Sequence, residues 1–178
     1  MAKQIRRVVT GHNAQGKSIF IMDGPSPGTR NAGAAGVTST DLWKTFATPA
    51  SNKGNAEGLD GDFRLPPPKS GSVFRVVAYP PDAQRFAAME KADPKAEEAS
   101  GMAHARDRNN PRHRGFHKTA TIDYAIVLSG EIVAMMDEGE TVLKAGDVLV
   151  QRGTNHAWSN RTNETTYIAF ILIDAEPA

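Results

Sequence analysis

The stretch from His117 to Asn160 constrains the fold of this chain more than any other part of the sequence. Short runs of apolar residues alternate with tight-turn residues, and no helical period interrupts them. The stretch predicts four strands, at Tyr124–Leu128, Ile132–Met136, Thr141–Leu143 and Val148–Val150. The residues between them are Ser129-Gly130, Asp137-Glu138-Gly139 and Ala145-Gly146-Asp147, which favour turns. We therefore predict an all-β meander in which these strands form two successive β-hairpins.

Three ionisable side chains flank these strands. His117 and Asp123 lie before or at the start of the first strand, and His156 follows the last turn. If the chain returns antiparallel, all three reach one end of a barrel. Two imidazoles and one carboxylate suit a divalent metal such as Fe(II), Mn(II), Zn(II) or Ni(II) and leave coordination positions open for an oxygen-bearing ligand. The chain has no cysteine, so a metal here would depend on nitrogen and oxygen ligands.

The same residues resemble the two motifs of the cupins, which are small jelly-roll barrels. The second cupin motif matches Gly146, Gln151 in place of proline, Gly153, His156 and Asn160. The first matches His117, Thr119 in place of a histidine, Asp123 in place of a glutamate, and Gly130. The segments DYAIVLSGE and GDVLVQRGTNHAWSN are also similar to a single-domain subfamily whose members mostly lack an assigned reaction. The resemblance implies a cupin jelly-roll (double-stranded β-helix) barrel and places the counterparts of His117, Asp123 and His156 among the metal ligands.

The length of 178 residues predicts one domain with additions rather than two domains. We expect N-terminal strands and a long loop over residues 1–80, one short helix and a basic loop over 81–115, and the barrel core over 116–175. Within the first part, Gln4–Thr10 and Lys17–Met22 predict a leading hairpin, and Ser26–Gly36 predicts a loop. Asp82 is the expected N-cap of the helix.

Charge and hydropathy exclude some partners. The chain has 21 basic and 20 acidic residues and no apolar run long enough to span a bilayer. We expect no nucleic-acid partner, no membrane insertion and a cytoplasmic location. Open strand edges in the N-terminal β-segments favour a homodimer.

Three functions remain open at this point. The first is a metal-dependent enzyme for an oxygenated or carboxylate-bearing metabolite, with Tyr124 or Arg152 orienting the substrate. The second is a metal-free enzyme in which histidine and aspartate remove a proton next to a carbonyl, as in cupin-like sugar isomerases. The third is a cupin that only binds or senses a small-molecule ligand. The basic segment Arg106–Arg114 is either a receptor for an anionic substrate or a solvated loop, and we expect Trp158 to face away from His156.

Overall fold

The structure is a computed structural model that describes residues 3–32, 36–59, 61, 63–91, 95, 98 and 102–177. It is dominated by β-strands, as the sequence predicts. The strands are β1 Arg6–His12, β2 Ser18–Pro25, β3 Gly28–Ala32, β4 Val37–Thr45, β5 Ser72–Tyr79, β6 Thr121–Ser129, β7 Glu131–Met136, β8 Glu140–Lys144, β9 Val148–Arg152, β10 His156–Ser159 and β11 Thr166–Asp174. Helix α1 spans Asp82–Glu90, and α2 is a single turn at Met102–Ala105.

Two sheets enclose the core of the barrel. The larger has six strands in the order β3-β4-β5-β11-β6-β9, and the smaller has three in the order β10-β7-β8. Among the strands that the structure describes, β1 and β2 pair only with each other. The larger sheet therefore joins strands from the first 80 residues to strands from the last 60, so that both halves of the chain build one barrel.

Alternation along the strands decides which side chains enter the core. On β5, Val73, Val77 and Tyr79 share one face and belong to the main apolar cluster. Ile132, Ala134 and Trp158 enter the same cluster from the smaller sheet. Trp158 meets Phe170 of β11 edge to face, with ring centroids 5.3 Å apart, so the two sheets are in direct contact through aromatic rings.

The predicted pairing of the strands is wrong, although their positions are close to those observed. Strand β6 pairs with β9 and β11, whereas β7 pairs with β8 and β10. Neither of the two predicted hairpins forms, because β7 instead pairs with β8 across the turn at Gly139. Ser129-Gly130 and Ala145-Gly146-Asp147 are instead corners at which the chain passes from one sheet to the other. A turn residue marks a reversal of the chain without specifying whether the next strand stays in the same sheet.

Two further local predictions are also wrong. The segment Ser26–Gly36, expected to be a loop, contains β3, which pairs with β4. The N-cap position of α1 is Pro81, and no side chain caps the helix there. The Asp82 carboxylate instead accepts hydrogen bonds from the Ser159 hydroxyl at 2.6 Å and the Asn160 backbone N–H at 3.1 Å, and so fixes the helix against the end of β10.

The outer face of the larger sheet is partly apolar and partly covered. Ile5, before β1, packs near Leu42, Val76 and Ala169 on this face. Further along the same face, Tyr124 remains 42% exposed. The homodimer stays a prediction. Within the described part of the chain, no helix has the length and apolar character required to cross a membrane.

Candidate functional site

Two histidines meet at one end of the barrel. His117 lies just before β6, and its backbone pairs with that of His156, the first residue of β10. Their N–H and C=O groups exchange hydrogen bonds of 2.9 and 3.0 Å. The two imidazoles consequently lie side by side, with ring centroids 4.3 Å apart. The sequence prediction that these two residues come together is confirmed by this contact.

Hydrogen bonds to the backbone determine the tautomer of both rings. Nδ1 of His117 is 2.9 Å from the carbonyl oxygen of Gly115, and Nδ1 of His156 is 2.9 Å from that of Thr154. A carbonyl oxygen only accepts, so each Nδ1 carries the proton and each Nε2 carries the lone pair of a neutral ring. Burial and the neighbouring His156 lower the pKa of His117 to about 3. Burial also lowers the pKa of His156, so both rings are neutral at physiological pH.

Asp123 is a buried carboxylate on the inward face of β6. It shares this face with Ala125 and Val127 of the main core cluster and is 5% exposed. The Thr121 side chain hydrogen-bonds to it, but Oδ1 has no hydrogen-bond partner among the residues that the structure describes. Burial raises the pKa of Asp123 to about 6. A buried carboxylate oxygen without a donor is costly, and such oxygens concentrate where a ligand or a reaction supplies the missing partner.

Gln151 links the strand beside Asp123 to the histidine pair. It lies opposite Asp123 in the β6–β9 register and is buried. Its side-chain amide donates to the carbonyl oxygen of Thr154 at 3.3 Å, and it also contacts the Thr154 hydroxyl. That same carbonyl accepts the Nδ1–H of His156. Gln151, at the motif position where cupins usually have proline, therefore connects β9 with the imidazole of His156.

A cavity of about 630 Å³ opens next to these residues. Ala134, Met136, Leu149, Gln151 and Thr154 contribute to its wall. Met136 is the cross-strand neighbour of His156, so the cavity adjoins the histidine pair. The exposed residues Glu138, Glu140 and Arg152 also line the cavity, whereas His117, His156 and Asp123 do not. Its volume is within the range of small-molecule sites.

Asp123 does not complete a metal site with the two histidines. Across the described residues, no three His, Asp or Glu side chains converge closely enough to hold a metal ion. Thr119, at the position of the missing motif histidine, hydrogen-bonds with the Thr121 hydroxyl at 2.8 Å. Resident divalent ions in proteins generally take at least three protein ligands. The two imidazoles have suitable lone pairs, but the donor set as a whole does not fit a resident metal ion.

The two residues predicted to orient the substrate lie on the outer side of the sheet. Tyr124 alternates with Asp123 along β6 and is exposed, with Val150 as its cross-strand neighbour. Arg152 alternates with the buried Gln151 and is likewise exposed, although it borders the cavity. Because neighbouring residues of a strand face opposite sides, neither shares the inward face with Asp123.

Two other expectations about side chains are corrected by contacts. Trp158 lies on the same face of β10 as His156, with ring centroids 6.0 Å apart, because residues two apart on a strand point the same way. The basic segment has structural partners: Arg112 donates to the carbonyl oxygens of Asp137 and Gly139, and Arg114 pairs with Glu90 at 2.9 Å. His113 lies 3.2 Å from the carboxylate of Asp82.

The sequence interpretation missed a buried ion pair on the inward face of the larger sheet. Arg75 of β5 and Asp41 of β4 are each 3% exposed, and Nε of Arg75 lies 3.0 Å from Oδ1 of Asp41. A signal was present in the strand SVFRVVAY, because Arg75 occupies the same alternation as Val73, Val77 and Tyr79. An arginine at an inward position of a strong strand indicates a buried charge that has a partner.

A family model described as "Cupin domain" matches residues 105–172. Phomopsin biosynthesis cluster protein D of Diaporthe leptostromiformis is 49% identical over 178 residues, which cover 96% of this chain and 79% of that protein. The cupin-domain-containing oxidoreductase virC of Hypocrea virens is 28% identical over 177 residues, which cover 96% of this chain and 76% of that protein.

Solved structures with lower identity also match. The cupin domain of Cnp3 from Schizosaccharomyces pombe aligns with a TM-score of 0.46 and 10% identity, covering 97% of this chain and 89% of that chain. A Cupin 2 conserved barrel domain protein from Salinispora arenicola aligns with a TM-score of 0.42 and 15% identity, covering 78% of this chain and 76% of that chain.

Proposed function

This chain belongs to the cupin superfamily, and we propose that it is a small-molecule enzyme that transfers a proton at a carbon atom next to a carbonyl group. The observation that carries the proposal is the unpartnered oxygen of Asp123 on the inward face of the barrel. A carboxylate with a pKa raised to about 6 is ionised at neutral pH and is a stronger base than an exposed aspartate. The proposed reaction is an isomerisation or a related step that begins with enolisation.

In the proposed step, a proton moves from a carbon atom of the substrate to the protein. The carboxylate of Asp123 takes the proton, the C–H electron pair becomes the new C=C bond, and the carbonyl π pair moves to oxygen. When the carbon that loses its proton carries a hydroxyl group, the enolate oxygen takes up a proton and that hydroxyl gives one up to become the new carbonyl. Asp123 then returns its proton to the former carbonyl carbon, which completes an isomerisation and regenerates the carboxylate. The neutral Nε2 atoms of His117 and His156 accept hydrogen bonds from substrate hydroxyl groups and so orient the substrate.

The names of the relatives support an enzyme rather than a sensor. The relative from Hypocrea virens is called an oxidoreductase, and the one from Diaporthe leptostromiformis is called a biosynthesis cluster protein. We infer that this chain acts on an oxygenated intermediate in the biosynthesis of a small molecule. A purely ligand-binding role would not require a buried carboxylate that is poised to ionise near neutral pH.

Proton transfer is tested by deuterium exchange. The protein is incubated in D₂O with a panel of enolisable ketones, aldehydes and oxo acids, and loss of the C–H signal is followed by NMR. Since only the ionised form of Asp123 accepts a proton, kcat/KM is expected to rise with pH through about 6 and then level off. No protein-dependent exchange with any compound of a broad panel would favour the binding role instead.

The metal predicted from the sequence is tested by adding the missing ligand. We expect the wild type not to bind Fe(II), Mn(II), Zn(II) or Ni(II) stoichiometrically at micromolar concentration, because only two imidazoles converge. Thr119→His places a third imidazole two residues after His117 and is expected to create measurable binding by calorimetry. Thr119→Val, which removes the hydroxyl without adding a ligand, is the matched control. Stoichiometric metal in the wild type would contradict this interpretation and restore a metal-dependent enzyme.

A further inference from the structure

The outer face of the larger sheet is apolar over three neighbouring strands, β11, β6 and β9. Along each of them, the residues that alternate with the inward core residues face outward. Every one of these outward residues except Arg152 is apolar or aromatic. A sheet face in contact with water normally carries polar residues, whereas strands that are apolar on both sides are covered on both sides. The composition of this face therefore indicates a second layer.

The exposed apolar side chains on this face are contiguous. Phe74 of β5 lies opposite Ile171 of β11, which in turn lies opposite Tyr124 of β6. Tyr124 lies opposite Val150 of β9. Because cross-strand partners share a face of the sheet, these residues form one row across four strands. We call the members that are between 36% and 60% exposed the outer patch: Phe74, Ile122, Tyr124, Leu128, Val148 and Val150.

The N-terminal segment covers a neighbouring part of the same face. Ile5, Ile126 and Tyr167 pack together in one apolar cluster. The Tyr167 hydroxyl also accepts a hydrogen bond from the backbone N–H of Lys3 at 2.9 Å. Where the chain supplies a second layer, this face is therefore packed against it. The outer patch lies beside that covered part and stays exposed.

The size of the outer patch matches one half of a stable protein interface. With about 175 Å² for a fully exposed apolar side chain, the exposed fractions of its six residues correspond to on the order of 500 Å² per copy. Two such patches that face each other bury on the order of 1,000 Å² of apolar surface. Since apolar atoms make up roughly 60% of an interface, the total is about 1,700 Å², which is the size of a standard stable interface.

We propose that the outer patch is the interface of a homodimer, in which the larger sheet of one copy packs face to face on that of a second copy. An apolar patch without charges is complementary to itself, whereas a different protein partner is selected by charges and polar groups. A lipid surface attracts several basic residues, and this face has one, Arg152. Val150 and Arg152 also line the cavity, so the second copy borders the cavity on its β9 side. The interface uses a sheet face rather than an open strand edge and does not depend on the proton-transfer function.

The test places the same charge on the two sheets. Val150 belongs to the outer patch and is 56% exposed, whereas Val142, on β8 of the smaller sheet, is 49% exposed. The wild type is expected to be a dimer at micromolar concentration. Val150→Glu is expected to raise the Kd of the dimer by about 100-fold or more, because it buries an unpaired charge in each copy. Val142→Glu, the matched control, is expected to change this Kd by less than about threefold.

The oligomeric state is measured by sedimentation equilibrium over a range of protein concentrations, and the fold of each variant is checked by circular dichroism. Both valines are exposed, so glutamate at either position leaves the core of the barrel intact. Tyr124→Ala removes a large ring from the outer patch without adding a charge. It is expected to weaken the dimer by about 10-fold or more, which separates the loss of apolar contact from the effect of a charge.

The outcomes distinguish a second copy from other occupants of the outer patch. A monomeric wild type, or a folded Val150→Glu variant that remains a dimer, would overturn the proposal. Dissociation by Val142→Glu to the same extent as by Val150→Glu would also overturn it, because the effect would not be specific to the outer patch. A monomeric wild type that co-sediments with phosphatidylcholine vesicles would assign the patch to a lipid surface instead.

Discussion

Replacement of Asp123 by asparagine is expected to lower the turnover by about 100-fold or more while making the folded protein more stable above pH 6. The loss of turnover follows because an amide does not accept the proton. The gain in stability follows because the carboxylate ionises at about 6 in the folded chain, against about 4 in an unfolded one. Above pH 6 both states are ionised, and the folded state carries the full cost of a buried charge. Below pH 4 both are protonated and the difference disappears.

The size of the gain follows from the shift of the pKa. Each tenfold change in a protonation equilibrium corresponds to about 1.4 kcal/mol, so the variant is expected to gain on the order of 3 kcal/mol at pH 8. Urea unfolding of the wild type and Asp123→Asn at pH 4 and pH 8 measures this directly. Glu176→Gln, at an exposed carboxylate, is the control and is expected to change neither stability nor turnover. A variant that is less stable than the wild type at pH 8 would show that Asp123 has a structural role.

Replacement of Asn160 by alanine is expected to destabilise the fold by about 3 kcal/mol or more. The side-chain amide donates to the carbonyl oxygens of Tyr79 at 2.8 Å and Glu164 at 2.7 Å. Its oxygen accepts from the backbone N–H of Thr162 at 3.0 Å and from the Thr162 hydroxyl at 2.8 Å. Asn160 is 1% exposed, so alanine leaves several polar groups without partners in a site from which water is excluded.

A matched control makes the test of Asn160 specific. Asn163, three residues further along the same turn, is exposed, and Asn163→Ala is expected to change the free energy of unfolding by less than about 0.5 kcal/mol. Both variants are compared by chemical denaturation at one pH. Equal stability of Asn160→Ala and the wild type would mean that the amide network is dispensable. The expected result would show that Asn160 stabilises the junction of β5, β10 and β11 and does not serve to bind a ligand.

The sequence predicted where the strands lie better than which strands pair. Alternation and turn residues located β5 at its observed bounds and the four strands after His117 within a few residues. Pairing depends on contacts between residues far apart in the chain, such as Asp123 with Leu172 and Gln151. A local pattern does not contain those contacts, so two corners between sheets were interpreted as hairpin turns.

The sequence predicted only part of the candidate site, because contacts between distant parts of the chain also decide which side chains meet there. Antiparallel return of the chain predicted that His117 and His156 come to one end of the barrel, and the backbone bridge between them confirms that proximity. Alternation alone could have excluded Tyr124 from the inward face, because it follows the buried Asp123 directly. Alternation indicates that Arg75 is buried, but its pairing with Asp41 required the structure, since the pair joins two strands separated by a long loop. The roles of all these residues in catalysis stay predictions.

The position of β11 in the larger sheet has a consequence for how the protein is made. This strand, residues 166–174, lies between β5 and β6 and hydrogen-bonds to both. During synthesis the chain emerges from its N-terminus, so β5 and β6 are complete well before the strand that joins them exists. Their inward faces are covered only when residues 166–174 have been added. The barrel therefore closes only after residue 174 has been synthesised, and a nascent chain that stops before residue 166 exposes the apolar inward faces that chaperones bind.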